Sequence, residues 1–318
     1  MGGPLNFGEA LHRGQYAVIY KSSFPPDETP CVIKVYDWWG KHPDFLLDRL
    51  AFAELAAYAN AGRHPHLQPL LDAHFWADTV QLVFPRYDFS LSEHAESCPG
   101  NRLPFEGSRR VGLAISLALE ALRRAGLVHG DVKVENILLR KAHVIRPPQS
   151  GVTKWRLQKK YCEFGLFHPA CSLDIVLSDL GCVATSDPKL RPTWKYANRE
   201  TRECNLAVKL GSPANRAPEL MLGRVDFGPP VDSWSLGLVI WETLTGVHLF
   251  DSQENDYEHV QEIRRLFGPI PEPEVPPAKR RKPAELGAAT WPPCPLRAPA
   301  KFAKILGQLL SVDSATRL

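Results

Sequence analysis

Asp131, Lys133 and Asn136 place an acid, a cation and an amide within the string His129-Gly130-Asp131-Val132-Lys133-Val134-Glu135-Asn136. That set suits work on a metal-bound phosphate. Asp131 can accept a proton, Lys133 can meet developing negative charge, and Asn136 can ligate a hard cation through oxygen. Leu127 and Val128 before the string, and Ile137, Leu138 and Leu139 after it, are apolar. The backbone is therefore expected to be pinned in a core on both sides, with the polar residues held on a rigid loop. On residue chemistry alone the string also fits a solvated loop with incidental charges.

His-x-Asp-x-Lys-x-x-Asn followed by an apolar run resembles the catalytic loop of protein kinases. What weighs most is whether other parts of that family occur in order. Leu173 to Gly181 reads as an apolar strand ending in Asp179-Leu180-Gly181, similar to the family's Asp-Phe-Gly metal motif. Upstream, Cys31-Val32-Ile33-Lys34-Val35-Tyr36 is a strand by β-branched content with one charge inside it. A lysine on a buried strand needs a partner, although an edge-strand lysine is also common. In the family this lysine holds nucleotide phosphates and pairs with a glutamate on the next helix. Phe45 to Asn60 has helical apolar spacing in Phe45, Leu46, Leu50, Phe52, Ala53, Leu55 and Ala56, with Asp44 as a candidate cap. Glu54 is the matching glutamate.

The elements around these residues follow the same order. Leu11 to Lys21 reads as strand, turn and strand and resembles the glycine-rich loop. Only Gly14 of its three glycines is kept, and His12 and Ala17 stand at the outer two. Val80 to Phe84 leads into Pro85-Arg86-Tyr87, similar to the kinase hinge. Phe84 is then the residue gating the space behind adenine, the Pro85 carbonyl takes its amino group, and the Tyr87 N–H meets the ring. Val32 stands where the family usually has Ala, which narrows the pocket. Arg109 to Gly126 is helical by pattern and delivers the chain into the catalytic loop. Gly211-Ser212 and Ala217-Pro218-Glu219 resemble the closing end of an activation segment. There Ser212 is expected to contact Asp131 and Lys133, which favours Ser/Thr substrates over Tyr. Asp232 is expected to accept backbone N–H groups of the catalytic loop, or simply to cap its own helix. Arg317 is expected to pair with Glu219. Arg216, and Arg265-Leu266-Phe267-Gly268-Pro269 further on, resemble the group containing cyclin-dependent and MAP kinases.

The resemblance covers nearly the whole chain and implies an α+β, bilobal kinase fold. A small antiparallel β-sheet lobe spans about 1–87, and a larger, mostly helical lobe spans 88–318. Two inserts are expected, at about 140–172 and 271–298, the second carrying the basic run Lys279 to Lys282. That run reads as a solvated loop or as a nuclear-import signal. The implied activity is transfer of the γ-phosphoryl of Mg-ATP to a protein Ser/Thr hydroxyl. The implied catalytic residues are Asp131, Lys133, Lys34 and Glu54. Nucleotide is expected against Leu11, Gly14, Val18, Val32, Lys34, Phe84, Pro85, Tyr87, Asn136 and Asp179, with Mg2+ on Asn136 and Asp179. The alternative is a kinase-shaped scaffold with little catalysis, because the glycine loop is depleted and Gly130 replaces the family's Arg. That Arg pairs with a phosphorylated activation loop, so constitutive activity or another control is expected. Ser186, Thr193, Tyr196 and Thr201 are candidate phosphorylation positions.

Composition agrees with such a domain. The chain has 318 residues, 44% of them hydrophobic, and a net charge of +3. That balance points to no nucleic-acid or membrane partner; a protein substrate, with a regulatory protein as a further candidate partner, is what the resemblance implies. The seven cysteines form no Cys-x-x-Cys pair, so zinc and dithiol chemistry are not expected. The cytoplasm or nucleus is the expected compartment, and the family's final helix is expected to be missing.

Overall fold

The computed structural model describes residues 6–14, 17–24, 28–37, 46–76, 79–141, 173–186, 210–223, 227–250, 256–270 and 300–317. Asp44, Phe45, Thr193, Tyr196, Thr201 and the basic run Lys279 to Lys282 lie outside them, as do residues 142–172.

The first part is an antiparallel sheet of β1 (Ala10–Arg13), β2 (Val18–Phe24), β3 (Thr29–Asp37), β4 (Asp72–Phe75) and β5 (Thr79–Pro85), in the order β1-β2-β3-β5-β4. Alternation on β3 explains why it lies at the centre. Cys31, Ile33 and Val35 are buried on one face, while Val32, Lys34 and Tyr36 share the other. Helix α1 (Leu46–Ala61) packs on the second face. Its buried residues are Ala51, Glu54, Ala57 and Tyr58, and Phe52, Ala53 and Ala56 are exposed. The apolar spacing predicted the helix and left its covered side open. An alanine-rich helix is apolar on most sides, so spacing alone does not say which side is covered. Phe52 instead stacks on Phe75, with ring centroids 5.7 Å apart.

The larger part contains α2 (Leu91–Glu96), α3 (Phe105–Arg124), α4 (Pro218–Met221), α5 (Pro230–Thr245), α6 (Asp256–Phe267) and α7 (Ala300–Leu309). Helix α3 begins four residues before the expected Arg109, and Gly126 follows it at φ 72°, the left-handed stop that glycine adopts without cost. Helix α5 is covered nearly all round, with Trp234 fully buried and stacked on Phe250. Short strands carry the catalytic string. β6 (Phe89–Ser90), β8 (Ile137–Lys141) and β9 (Leu173–Leu177) form one small sheet, and β7 (Leu127–Val128) pairs with β10 (Ala184–Thr185). Arg140 and Lys141 belong to β8 and not to the insert expected from 140. Their register is fixed by the apolar Ile137-Leu139 run against Ile175–Leu177, and Arg140 bonds Asp174 across the pair at 2.9 Å.

The two-lobed α+β architecture is thus as expected. Among the described residues no helix is long and apolar enough to cross a membrane.

Candidate active site

β7 ends at Val128, β8 begins at Ile137, and both Val128 and Ile137 are fully buried. The catalytic string is stretched between these anchors. Asp232, on the first turn of α5, accepts the N–H groups of His129 (2.7 Å) and Gly130 (2.8 Å). His129 Nδ1 accepts the Asp131 N–H, so Nε2 carries the proton and donates to the Ser178 carbonyl at 3.0 Å. Burial pushes the Asp232 carboxyl up, against the pull of His129 and the two amides. The expected role of Asp232 is therefore the observed one.

Asp131 lies at the centre of a closed set of bonds. Its Oδ1 accepts both the N–H (2.9 Å) and the hydroxyl (2.8 Å) of Ser212. Its Oδ2 faces Lys133 Nζ at 2.9 Å and Asn136 Nδ2 at 3.1 Å. Lys133 also donates to Ser212 Oγ at 2.8 Å. Residues 79 positions apart in sequence close this triangle, as the Ser212 reading anticipated. Because the Asn136 nitrogen is spent on Asp131, its oxygen is the acceptor left for a cation.

On the opposite wall, Lys34 Nζ bridges Glu54 Oε2 (2.8 Å) and Asp179 Oδ1 (2.7 Å). Burial works against the Lys34 ammonium, but the charges of Asp179 and Glu54 hold its pKa well above the usual lysine value. Burial likewise pushes the Glu54 carboxyl up, opposed by Lys34. For Asp179, burial favours the neutral acid, but the Lys34 charge and hydrogen bond outweigh it and hold the carboxyl at about 2. That is below its ordinary 3.8, so its share of stability is present above 3.8 and fades only as pH falls toward 2. The Asp179 side chain is 43% exposed, which leaves the charge open to the cleft. Its backbone is left-handed at φ 63°, and Oδ1 also accepts the Gly181 N–H.

This donor set fits the cation that the resemblance implies. Among the described residues no group of three or more His, Cys, Asp or Glu converges on one point. Asn136 and Asp179 supply only two oxygens, which suits Mg2+ held mainly by phosphate and water.

Of the residues expected to face nucleotide, one is displaced by the strand register. In the β2–β3 register Ile19 lies opposite Lys34 and Val18 opposite Val35. Residues opposite each other share a face, so Ile19 points with Lys34, and Val18 points to the other side of the sheet. Val18 is therefore not a cleft residue; Ile19 is. Leu11 lies at a bulge of β1 and is 44% exposed. Gly14 donates its N–H to the Ala17 carbonyl, and a Cβ added to it would lie 3.6 Å from His12 Nε2. Val32 sits opposite the buried Phe84. The Pro85 carbonyl accepts a long 3.4 Å bond from Gln68 Nε2. One lone pair remains for a base amino group. Arg86 and Asp88 give their N–H groups to Pro30 and Leu139, so Tyr87 between them is the hinge amide left for a ring. Tyr87 itself lies under Arg140, 4.9 Å from the ring centroid.

Three residues escaped the sequence reading. Ser178 ties β9 to Asn136, giving both N–H and hydroxyl to its carbonyl at 2.9 Å. Ile19 was one position from the residue chosen. Tyr36 donates its hydroxyl to Glu54 Oε2; the signal was present, since Tyr36 stands two residues from Lys34 and so on the same face. Burial, then Asp131 and Asp179, push the Cys182 thiol up to about 12, which disfavours its thiolate.

Gly130 is required by the backbone. Its φ is 78°, and a Cβ there would come within 3.0 Å of the Cys182 carbonyl oxygen and 3.1 Å of Leu210. Gly130→Ala is expected to lower stability by about 1–3 kcal/mol, read as a shift in the denaturant midpoint. An unchanged midpoint would refute the packing argument.

Comparison with known proteins points the same way. A family model described as "Protein kinase domain" matches residues 5–318. The chain is 26% identical over 228 residues to "Probable serine/threonine-protein kinase clkA" of Dictyostelium discoideum, covering 71% of this chain and 22% of that protein. It is 30% identical over 194 residues to the human "Hormonally up-regulated neu tumor-associated kinase", covering 58% of this chain and 20% of that one. With "Serine/threonine-protein kinase AFC2" of Arabidopsis thaliana it shares 26% identity over 215 residues, 67% of this chain and 45% of the relative. The chain thus spans about a fifth of the first of these relatives and under half of the last.

Proposed function

The chain belongs to the protein kinase family, and on that footing we propose that it is a serine/threonine kinase moving the γ-phosphoryl of Mg-ATP to a protein hydroxyl. The observation that carries this reading is the joint assembly of two groups. Asp131 is fixed by Ser212, Lys133 and Asn136, while Lys34 is fixed between Glu54 and Asp179. Seven polar residues from five separate segments have no structural need to meet in a cleft.

Asp131 would orient the attacking hydroxyl and accept its proton. Lys133, already held beside Asp131, would face the charge that develops on the transferring group. Lys34 would anchor phosphate oxygens, kept in place by Glu54. Mg2+ held by Asn136 and Asp179 would neutralise the phosphate charge. Ser212, a small hydroxyl touching both Asp131 and Lys133, supports a Ser/Thr rather than a Tyr acceptor. Placement near the cyclin-dependent and MAP kinase group is supported by Arg216. Its guanidinium holds the Leu210 and Gly211 carbonyls at 3.0 Å and pairs with Asp256 at 2.9 Å.

A second reading, a kinase-shaped binding module, is favoured by one observation: the His12 ring lies against Gly14, where the family keeps open backbone. Purified protein with Mg-ATP and a degenerate peptide array separates the two. The kinase reading expects phosphotransfer that Lys34→Met abolishes, together with a rise in melting temperature on adding Mg-ATP. No transfer and no thermal shift at millimolar Mg-ATP would support the module.

A further inference from the structure

Tyr36 lies outside every role derived so far, yet it is at the centre of the buried polar cluster behind the cleft. It is 2% exposed. Its hydroxyl donates to Glu54 Oε2, the same oxygen that takes Lys34 Nζ. Its ring lies under the Lys34 ammonium, 5.2 Å from centroid to Nζ. The hydroxyl also reaches the turn after Asp179: a Cβ on Gly181 would be 3.5 Å from it and 3.6 Å from Lys34 Nζ. Glu54 is fully buried, and among the described residues its Oε1 has no hydrogen-bond partner. The carboxylate of α1 is therefore held through one oxygen, by two donors from a single strand.

Those two donors are not equivalent. Lys34 is shared with Asp179 and would be drawn toward any phosphate in the cleft, which loosens its hold on Glu54. The Tyr36 hydroxyl has no such competitor. A buried carboxylate losing one donor keeps its desolvation penalty and loses an offset, so the second donor decides whether α1 stays docked. We propose that Tyr36 is a positioning residue that pins α1 to β3 through Glu54, keeping the Lys34–Glu54 geometry in place without a partner bound to the helix. This rests on the kinase reading, but the pin itself is a property of the fold.

The test is Tyr36→Phe in the full chain, which keeps the ring and its contact with Lys34 and removes only the hydroxyl. In the absence of nucleotide, amides of Ala51 to Tyr58 are expected to exchange about tenfold faster than in the unaltered protein. In phosphotransfer assays kcat/KM for ATP is expected to fall about tenfold or more, with no further fall when the change is made on top of Glu54→Ala. The acid limb of its pH profile should move up, because the groups facing Glu54 are then Lys34, Asp179 and Tyr58 without the donor that favoured the carboxylate. Tyr36→Leu controls for packing. If Tyr36→Phe matches the unaltered protein in helix exchange and acid limb while only Leu does harm, the pin is overturned. If the unaltered protein neither transfers phosphate nor responds to Mg-ATP, the kinase reading fails, and the exchange comparison still decides the pin.

Discussion

Asp131→Asn is expected to lower the phosphotransfer rate by about 10²–10⁴-fold while Mg-ATP still raises the melting temperature. The reason lies in which atoms Asp131 presents. Oδ1 takes the two Ser212 donors, and an amide oxygen can do the same. Oδ2 stands between Lys133 Nζ and Asn136 Nδ2, both donors, where an amide NH2 finds only repulsion. The substitution therefore removes the proton acceptor and disturbs the residues beside it. The Lys34–Glu54–Asp179 wall is built from other segments and keeps its nucleotide contacts. Equal phosphorylation by both proteins, with the same peptide array, would refute the assignment of Asp131.

Arg317→Ala is expected to lower folding stability by about 3–5 kcal/mol. The Arg317 side chain is fully buried and the Glu219 side chain 6% exposed. Its guanidinium bonds Glu219 at 2.7 and 3.0 Å, the Ser311 carbonyl at 2.7 Å and the Pro230 carbonyl at 2.9 Å, and it lies 5.3 Å from the Trp234 ring. Truncation leaves a carboxylate in the core with no cation and two carbonyls with no donor. Replacing Arg317 and Glu219 together by Met and Leu should recover much of the loss, because no charge is then stranded. Equilibrium denaturation of the three proteins checks this. A loss under about 1 kcal/mol for Arg317→Ala would place the pair among ordinary surface ion pairs.

What the sequence made legible depended on how local the information was. The catalytic string carries its own flanks, so Asp131, Lys133 and Asn136 could be read together, and the family order of later motifs supplied Lys34, Glu54 and Asp179. Face assignments were harder. On β2 a slip of one residue exchanges the two sides of the sheet, and Val18 was chosen where Ile19 faces the cleft. On α1 small apolar residues occur on all sides, so the spacing showed a helix but not its covered side, and the helix turns Ala51, Ala57 and Tyr58 inward while Phe52, Ala53 and Ala56 are exposed. Tyr36 was passed over although its two-residue spacing from Lys34 put it on the same face, because the identity of a hydroxyl's partner 18 positions away is not encoded in its neighbours.

The β8–β9 pair has a consequence for the chain between its strands. Both strands are registered by their own apolar residues and clasped by Arg140 and Asp174, so their geometry does not depend on what joins them. Closing a longer connection adds only a logarithmic entropy term. A connection there can differ in length without retuning Asn136 and Asp179, the residues proposed to hold Mg2+. Because Arg140 also covers Tyr87, whatever is grafted there begins beside the nucleotide hinge.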